Sequence, residues 1–318
     1  MRIVSLISSA TEMLFGLGLE ESIVGVSHEC DYPAAANRLP RATFTNITAD
    51  APSGMIDQQV KELVAAGKPL YEIDLELLVD LQPDLIITQA QCDVCAVRYD
   101  DVVAAVASEP KLGAAQLVAL NPQSLGDVMK DIRRLGIATS RTAAAAEYVS
   151  ALETRIELVR SRTGTLAESQ RPLTACIEWI EPLMVAANWT PELVELAGGV
   201  QAGATVGEHS TYTDWESIRT FDPEVLVVLP CGFDLQRTLR EATVLRDLPG
   251  WHEVAAVRAG EVYAVDGNAL FNRSGPRIVD SLELLSQLVH PESHGDGSRA
   301  TRESASGDGR TWQLLKLE

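Results

Sequence analysis

The sequence predicts an α/β protein of two Rossmann-like lobes with parallel sheets, joined by one long backbone helix. Three observations carry this. The first is a set of short apolar runs rich in Val, Ile and Leu: RIVSLI (2–7), IVGVS (23–27), DLIIT (84–88), QLVAL (116–120), LTACIE (173–178), VLVVL (225–229) and EVYAV (261–265). Helix-period segments lie between them. Near-continuous apolar strands alternating with helices describe parallel sheets covered on both faces. The second is the stretch from Leu125 to Arg162. Ser124 stands where a cap belongs, and apolar residues recur at Leu125, Val128, Met129, Ile132, Leu135, Leu152, Ile156 and Val159 around an Ala-rich middle. That pattern favours a helix about 55 Å long, with Gly136 as a point of bending and Gly164 as the stop. The third is an internal echo. LELLVDLQPDLII (75–87) and WESIRTFDPEVLV (215–227) place Glu76 and Pro83 against Glu216 and Pro223 at one offset of 140 residues. Both read as a helix that ends at proline and then a buried strand.

The expected organisation is an N-terminal lobe over 1–122, the linking helix over 123–164, a C-terminal lobe over 165–290 and a tail over 291–318. Residues 291–310 are rich in Ser, Gly and charge and read as flexible. TWQLLKLE (311–318) is apolar again and is placed to dock back on the body or to fray.

Composition narrows the function. The chain has 318 residues, with 26 Lys and Arg against 45 Asp and Glu, a formal charge of −19. Such an acidic chain argues against nucleic acid and against anionic membrane surfaces as partners. The apolar share of 46 % is that of a folded protein. The N-terminal MRIVSLISSATEMLFGLG is interrupted by Glu12, and it reads better as a first strand and helix than as a signal peptide. Five cysteines do not resemble a secreted disulfide framework. The expected location is therefore the cytoplasm, and a monomer is the expected state.

In open parallel sheets ligands bind beyond the carboxyl ends of the strands. The residues there are Ser8, Ser9 and Thr11 after the first run, then His28, Glu29, Cys30, Asp31 and Tyr32 after the second. Gln89, Gln91, Cys92, Asp93 and Cys95 follow DLIIT. Glu178 and Trp179 follow LTACIE, with Asn188 and Trp189 nearby. Cys231 and Phe233 follow VLVVL, and Asp266, Asn268, Phe271, Asn272 and Arg273 follow EVYAV. The chain has only five Trp, six Tyr and five Phe. Tyr32, Trp179, Trp189, Tyr212, Phe233 and Phe271 all fall in these segments or in the loop at 204–213. Aromatics gathered so fit the walls of a pocket for a large flat or apolar ligand.

Cys92 and Cys95 form half of a metal site, and a tetrahedral site needs two more donors. His28, Cys30, His209 and Cys231 are the candidates, with Zn or Fe as the ion. The competing reading is a set of small, half-buried cysteines without a ligand. Cys176 reads as core, and His252, His290 and His294 as surface. There is no Walker loop, no GxGxxG that follows a strand and opens a helix, and no GxSxG elbow. Nucleotide chemistry and serine hydrolysis thus have no support.

RIVSLISSATEMLFGLGLEESIVGVSHECDYP (2–33), ELLVDLQPDLIITQ (76–89), the linking helix, WESIRTFDPEVLVVLPCGF (215–233) and EVYAVDGNALFNRSGPRIVDSLELL (261–285) together resemble the cobalamin and iron-siderophore binding proteins of ABC importers. The resemblance covers about residues 2–290. It implies a class III periplasmic-binding-protein-like fold with the ligand in a cleft between lobes. The implied ligand is cobalamin, a related corrinoid or another metal chelate. The resemblance leaves the contacts to the residues read at the strand ends and the nearby loop, Ser9, His28, Tyr32, Gln91, Trp179, Trp189, His209, Tyr212, Phe233, Phe271 and Asn272, with His28 or His209 as an axial nitrogen donor. It also implies an ABC permease partner, docked through Glu76 and Glu216. A binding protein rather than an enzyme is the leading expectation. The alternative is a cytoplasmic metal-binding enzyme or metallochaperone using Cys92, Cys95, His28 and Cys231. The chain departs from the family in lacking a recognisable signal peptide or lipobox and in carrying HECDYP (28–33) and QCDVCAV (91–97). A start site assigned too far downstream would make the protein periplasmic or cell-surface.

Overall fold

The computed structural model describes residues 1–91, 94, 96–294 and 311–317, with the side chains of 293 and 294 excepted. The chain divides into two compact units, Met1–Pro122 with Gly126–Ala151, and Gln123–Leu125 with Leu152–Glu318.

The first unit opens with β1 (Ile3–Ser5), α1 (Ser8–Gly16) and β2 (Ile23–Val26). An excursion of β3 (Thr43–Thr45), α2 (Ser53–Ala65) and β4 (Tyr71–Ile73) follows. Then come α3 (Leu75–Leu81), β5 (Leu85–Gln89), α4 (Tyr99–Ser108) and β6 (Gln116–Leu120). The sheet order is β2-β1-β5-β6, and all its pairs are parallel. The order reverses between β1 and β5, so α1 and the loop after β5 start side by side at the carboxyl edge. The core is aliphatic: Val4, Leu6, Leu78, Ile86 and Val102 are buried together. β3 and β4 form a separate antiparallel pair. Their mixed polar sequence, TFT and YEI, carries too little apolar signal to read as strands in advance.

The helical stretch that follows is divided. α5 (Leu125–Ala138) and α6 (Thr142–Thr163) replace the single long helix expected from the periodicity. The break falls at Thr139–Arg141, not at Gly136. Ser140 is left-handed at φ 57°, and the Arg141 amide donates to the Gly136 carbonyl at 2.7 Å. This is the helix-ending bond of a Schellman-type stop. Gly136 matters for packing instead, since a Cβ there would lie 2.4 Å from the Ala145 Cβ. Its absence lets the first turn of α6 pack against the last turn of α5.

The second unit contains β7 (Leu173–Trp179), β8 (Met184–Val185), α7 (Thr190–Leu196), β9 (Val200–Gln201) and β10 (Thr211–Tyr212). It continues with α8 (Trp215–Phe221), β11 (Val225–Val228), α9 (Leu235–Glu241) and α10 (Ala255–Ala259). β12 (Val262–Val265), α11 (Ile278–Val289) and β13 (Trp312–Leu314) complete it. The strand order is β10-β8-β7-β11-β12-β13, with β9 beside β7. β7, β11 and β12 are parallel, as their apolar runs predict. The flanks are antiparallel. The connection 180–183 is too short for a crossover, so β8 must return as a hairpin partner of β7.

The end of the chain docks. β13 pairs with β12 through Tyr263↔Leu314 and Val265↔Trp312, and Leu315 joins the core around Trp215, Leu226 and Trp251. The expected tail over 291–318 is thus ordered over 311–317, because three apolar side chains can be buried against an open strand edge. Residues 295–310 lie outside the described residues. His290 is a second correction. It is buried rather than a surface residue, its Nε2 lies 3.0 Å from the Gly198 carbonyl and its Nδ1 2.9 Å from Glu292.

Candidate functional site

At the carboxyl edge of the first unit, Ser9 sits in the first turn of α1. Its side chain is buried, and its Oγ has no hydrogen-bond partner among the described residues. His28 follows β2 and is held at one edge and on one face of its ring. Its Nδ1 lies 2.8 Å from the Thr43 hydroxyl, and its ring stacks on Tyr71 at 5.4 Å. Its Nε2 is 3.3 Å from the Glu29 carboxylate. The excursion β3–β4 therefore orients this imidazole, a role no sequence motif announces. Tyr32 is 47 % exposed beside a cis Tyr32–Pro33 bond. The Gln91 amide donates to the Gln89 side-chain oxygen at 2.7 Å, and Gln89 Nε2 donates to the Val97 carbonyl at 3.3 Å. These bonds tie Gln91 and Val97 to the end of β5. Cys92 and Cys95 lie outside the described residues.

At the carboxyl edge of the second unit the aromatics divide into two kinds. Trp189, Phe233 and Phe271 are only 6, 1 and 2 % exposed. Trp189 Nε1 donates to the Phe271 carbonyl at 2.8 Å, which ties the loop before α7 to the loop after β12. These three rings support the loops and do not themselves present a wall, because each is buried within the unit. Tyr212 is 54 % exposed, and His209 is exposed too. Trp179 is half-buried. Its ring lies 5.3 Å from Phe233, and its Nε1 donates to the Glu181 carbonyl at 3.0 Å. Arg237 caps this stack, its guanidinium 3.6 Å from the Phe233 ring centre. A guanidinium at that distance is held by the ring quadrupole. Arg237, one helix start away from Phe233, is a site residue the sequence reading missed.

Glu178 and Ser210 form a second missed link. The Ser210 hydroxyl donates to Glu178 in a short hydrogen bond and accepts from the Ala187 amide at 3.0 Å. Burial raises the Glu178 carboxyl above its ordinary range, against the bonds from Ser210 and Ala187. The pair ties the loop carrying His209 and Tyr212 to the end of β7. Asn272 has a buried Oδ1 without a hydrogen-bond partner among the described residues. Gly267 lets the preceding turn close: a Cβ there would lie 2.2 Å from the Pro230 carbonyl oxygen.

The expected thiol site divides likewise. Cys176 is buried in β7, and burial pushes its thiol up to about 12. Cys30 is also buried, 3.1 Å from the Thr11 hydroxyl, while Cys231 is exposed. Among the described residues no three His, Cys, Asp or Glu side chains stand close enough to hold a metal ion.

Glu76 and Glu216 occupy matching places. Each is exposed in the first turn of its helix, α3 or α8. Each helix is capped by an aspartate: Asp74 accepts from the Leu77 amide at 2.9 Å, and Asp214 from the Ser217 amide at 2.7 Å. Each ends on a left-handed residue before proline, Gln82 at φ 44° and Asp222 at φ 48°.

Two α/β units whose loops at the carboxyl ends of parallel strands carry aromatic and polar side chains have the build of a binding protein, and comparison with known proteins agrees. The chain belongs to the periplasmic binding protein family, which it matches over residues 3–269. It is 22 % identical over 294 residues to an uncharacterized ABC transporter substrate-binding lipoprotein, YvrC, of Bacillus subtilis, covering 92 % of this chain and 81 % of that one. It is 23 % identical over 295 residues to a vitamin B12-binding protein of Vibrio cholerae, covering 89 and 87 %. Among solved structures it is similar to the periplasmic heme-binding protein RhuT of Roseiflexus, with a TM-score of 0.67, 21 % identity and coverage of 92 and 98 %. The protein is a ligand-binding chain of the kind that resembles the cobalamin and metal-chelate binding components of ABC importers. No helix among the described residues is long and apolar enough to cross a membrane.

Proposed function

We propose that this protein binds a flat metal chelate of the tetrapyrrole class, cobalamin or a related corrinoid first, and delivers it to an ABC permease through Glu76 and Glu216. The observation that carries the reading is aromatic surface left open at strand ends: in the second unit Tyr212 and the half-buried Trp179, which rests on the buried Phe233, and in the first unit, taken by itself, Tyr32. Rings with one face or edge open suit a large apolar disc, and the phenolic hydroxyls suit its polar rim. The names of the relatives, vitamin B12-binding and heme-binding, support the same ligand class. His209, exposed on the loop that Glu178 and Ser210 hold, is the preferred axial donor. His28 is the second, because its Nδ1 is already engaged with Thr43. The relatives named periplasmic or lipoprotein support action outside the cytoplasmic membrane, and cell fractionation of the native protein decides between that place and the cytoplasm.

Titration calorimetry with cyanocobalamin, dicyanocobinamide and hemin tests the ligand. At least one is expected to bind, and Tyr212→Ala and Trp179→Ala are each expected to weaken it about tenfold, the order of a lost aromatic contact. Absence of heat with all three ligands would refute the proposal.

A further inference from the structure

The two matched glutamates differ in what faces them. Arg219, one turn after Glu216 in α8, forms a two-pronged ion pair with it: Nε to Oε2 at 2.9 Å and Nη2 to Oε1 at 2.8 Å. The same guanidinium reaches Glu253 through Nη1 at 3.2 Å. The side chain is placed, not adrift. Gly250 is left-handed at φ 73°, and a Cβ there would lie 3.0 Å from the Arg219 Cδ. The turn around Gly250 is anchored to the same helix, because Trp215 Nε1 donates to the Pro249 carbonyl at 2.8 Å and its ring lies 5.5 Å from Trp251. At the corresponding position of α3, 140 residues earlier, stands Val79. α3 holds no basic residue, and Glu76 has no ion-pair partner among the described residues.

We propose that Arg219 is a built-in competitor for Glu216, so that the two matched glutamates form unequal docking points: Glu76 is open to a partner's guanidinium, and Glu216 must first be released from its own helix. The inference rests on the reading of Glu76 and Glu216 as docking residues and adds what that reading lacks, a difference between them. A fork-to-fork pair uses both carboxylate oxygens. An incoming arginine therefore replaces bonds at Glu216, whereas at Glu76 it makes bonds where water stood. Exposed ion pairs are weak and screened by salt, so the difference is a bias and not a lock. The bias has a direction. First contact falls on the first unit, and engagement of the second follows with exchange of Arg219 toward Glu253, which already holds one of its nitrogens.

The test uses the full chain labelled with ¹³C at glutamate side-chain carboxyls, with the two resonances assigned by E76Q and E216Q. N-acetyl-argininamide is the probe, and the readout is each carboxylate shift against probe concentration. In the unmodified protein Glu76 is expected to respond at about threefold lower probe concentration than Glu216. Arg219→Gln should bring the Glu216 curve onto that of Glu76 and leave Glu76 unmoved. Arg219→Lys, which keeps the charge and loses the fork, should fall between. Equal responses in the unmodified protein, no response at Glu76, or an unchanged Glu216 curve in R219Q would overturn the proposal. Circular dichroism of R219Q checks that α8 is intact. The docking reading is tested apart from this, by the effect of E76Q and E216Q on ATP hydrolysis of the reconstituted importer. Its failure leaves the carboxylate curves where they are.

Discussion

α3 and α8 are built to one local plan and present different surfaces. Each begins on an aspartate cap, carries a glutamate in its first turn, buries one aliphatic residue at the centre and stops on a left-handed residue before proline. Leu78 and Ile218 are the buried pair, at 0 and 2 % exposure. What differs is the position three residues after the glutamate. Val79 packs against the core of the first unit, while Arg219 turns outward to Glu216 and Glu253. Backbone form thus follows from caps and a stop signal, which are local. The charge of the exposed end follows from one side chain and from the loop that steadies it.

The comparison can be tested at three depths. The largest effect is expected in the buried pair. Leu78→Ala and Ile218→Ala should each cost about 2–5 kcal/mol, read from urea unfolding, because each leaves a cavity under a seven-residue helix. A near-neutral result in one would show that the two helices are not equivalent in the core. The caps come next. Asp74→Ala should cost about 1 kcal/mol, and Asp214→Ala should lower the unfolding midpoint in the same direction. Hydrogen bonds from the Ser217 amide and then its side chain hold the Asp214 carboxyl below its usual range. A depressed carboxyl stabilises the fold above its unfolded value, near 4, and that contribution is lost as pH falls through the folded value. The midpoint difference between the unmodified protein and Asp214→Ala should therefore close below about pH 4. A difference that persists at low pH would mean the cap acts by shape alone. The smallest effect is at the surface. Val79→Arg, whose stem can lie along the core edge that Val79 now covers, should raise the probe concentration needed at Glu76 about threefold. No change would assign the Arg219 fork to the Gly250 turn and Glu253 rather than to helix spacing.

Much of this is legible in the sequence. All seven apolar runs are strands, and their parallel pairing in both sheets follows from an apolar sequence that needs cover on two faces. The matched glutamates are visible as a repeat. The division of the long helix is not legible, because Ala-rich periodicity continues through Thr139–Arg141, where a left-handed Ser140 ends one helix and a new one begins. Nor does the aromatic count separate supports from walls. Trp189, Phe233 and Phe271 follow strands and Trp179 and Tyr212 end them, yet the first three are buried. Exposure of a ring depends on which loop lies over it, and loops leave no periodic trace.

The sequence by itself determined the α/β class, the strand positions, the paired helix–proline phrases and the acidic surface. Each is a property of neighbours within a few residues of one another, where hydrophobic period, capping and proline geometry act directly. Only the tertiary structure decided that Thr43 and Tyr71 steady His28, that Arg237 covers Phe233, that residues 312–314 close the edge at β12, and that Arg219 faces Glu216 with Glu253 behind it. These contacts, apart from Arg219–Glu216 and Arg237–Phe233, which lie three and four residues apart, join residues whose proximity is set by sheet order and loop closure. No local pattern encodes it.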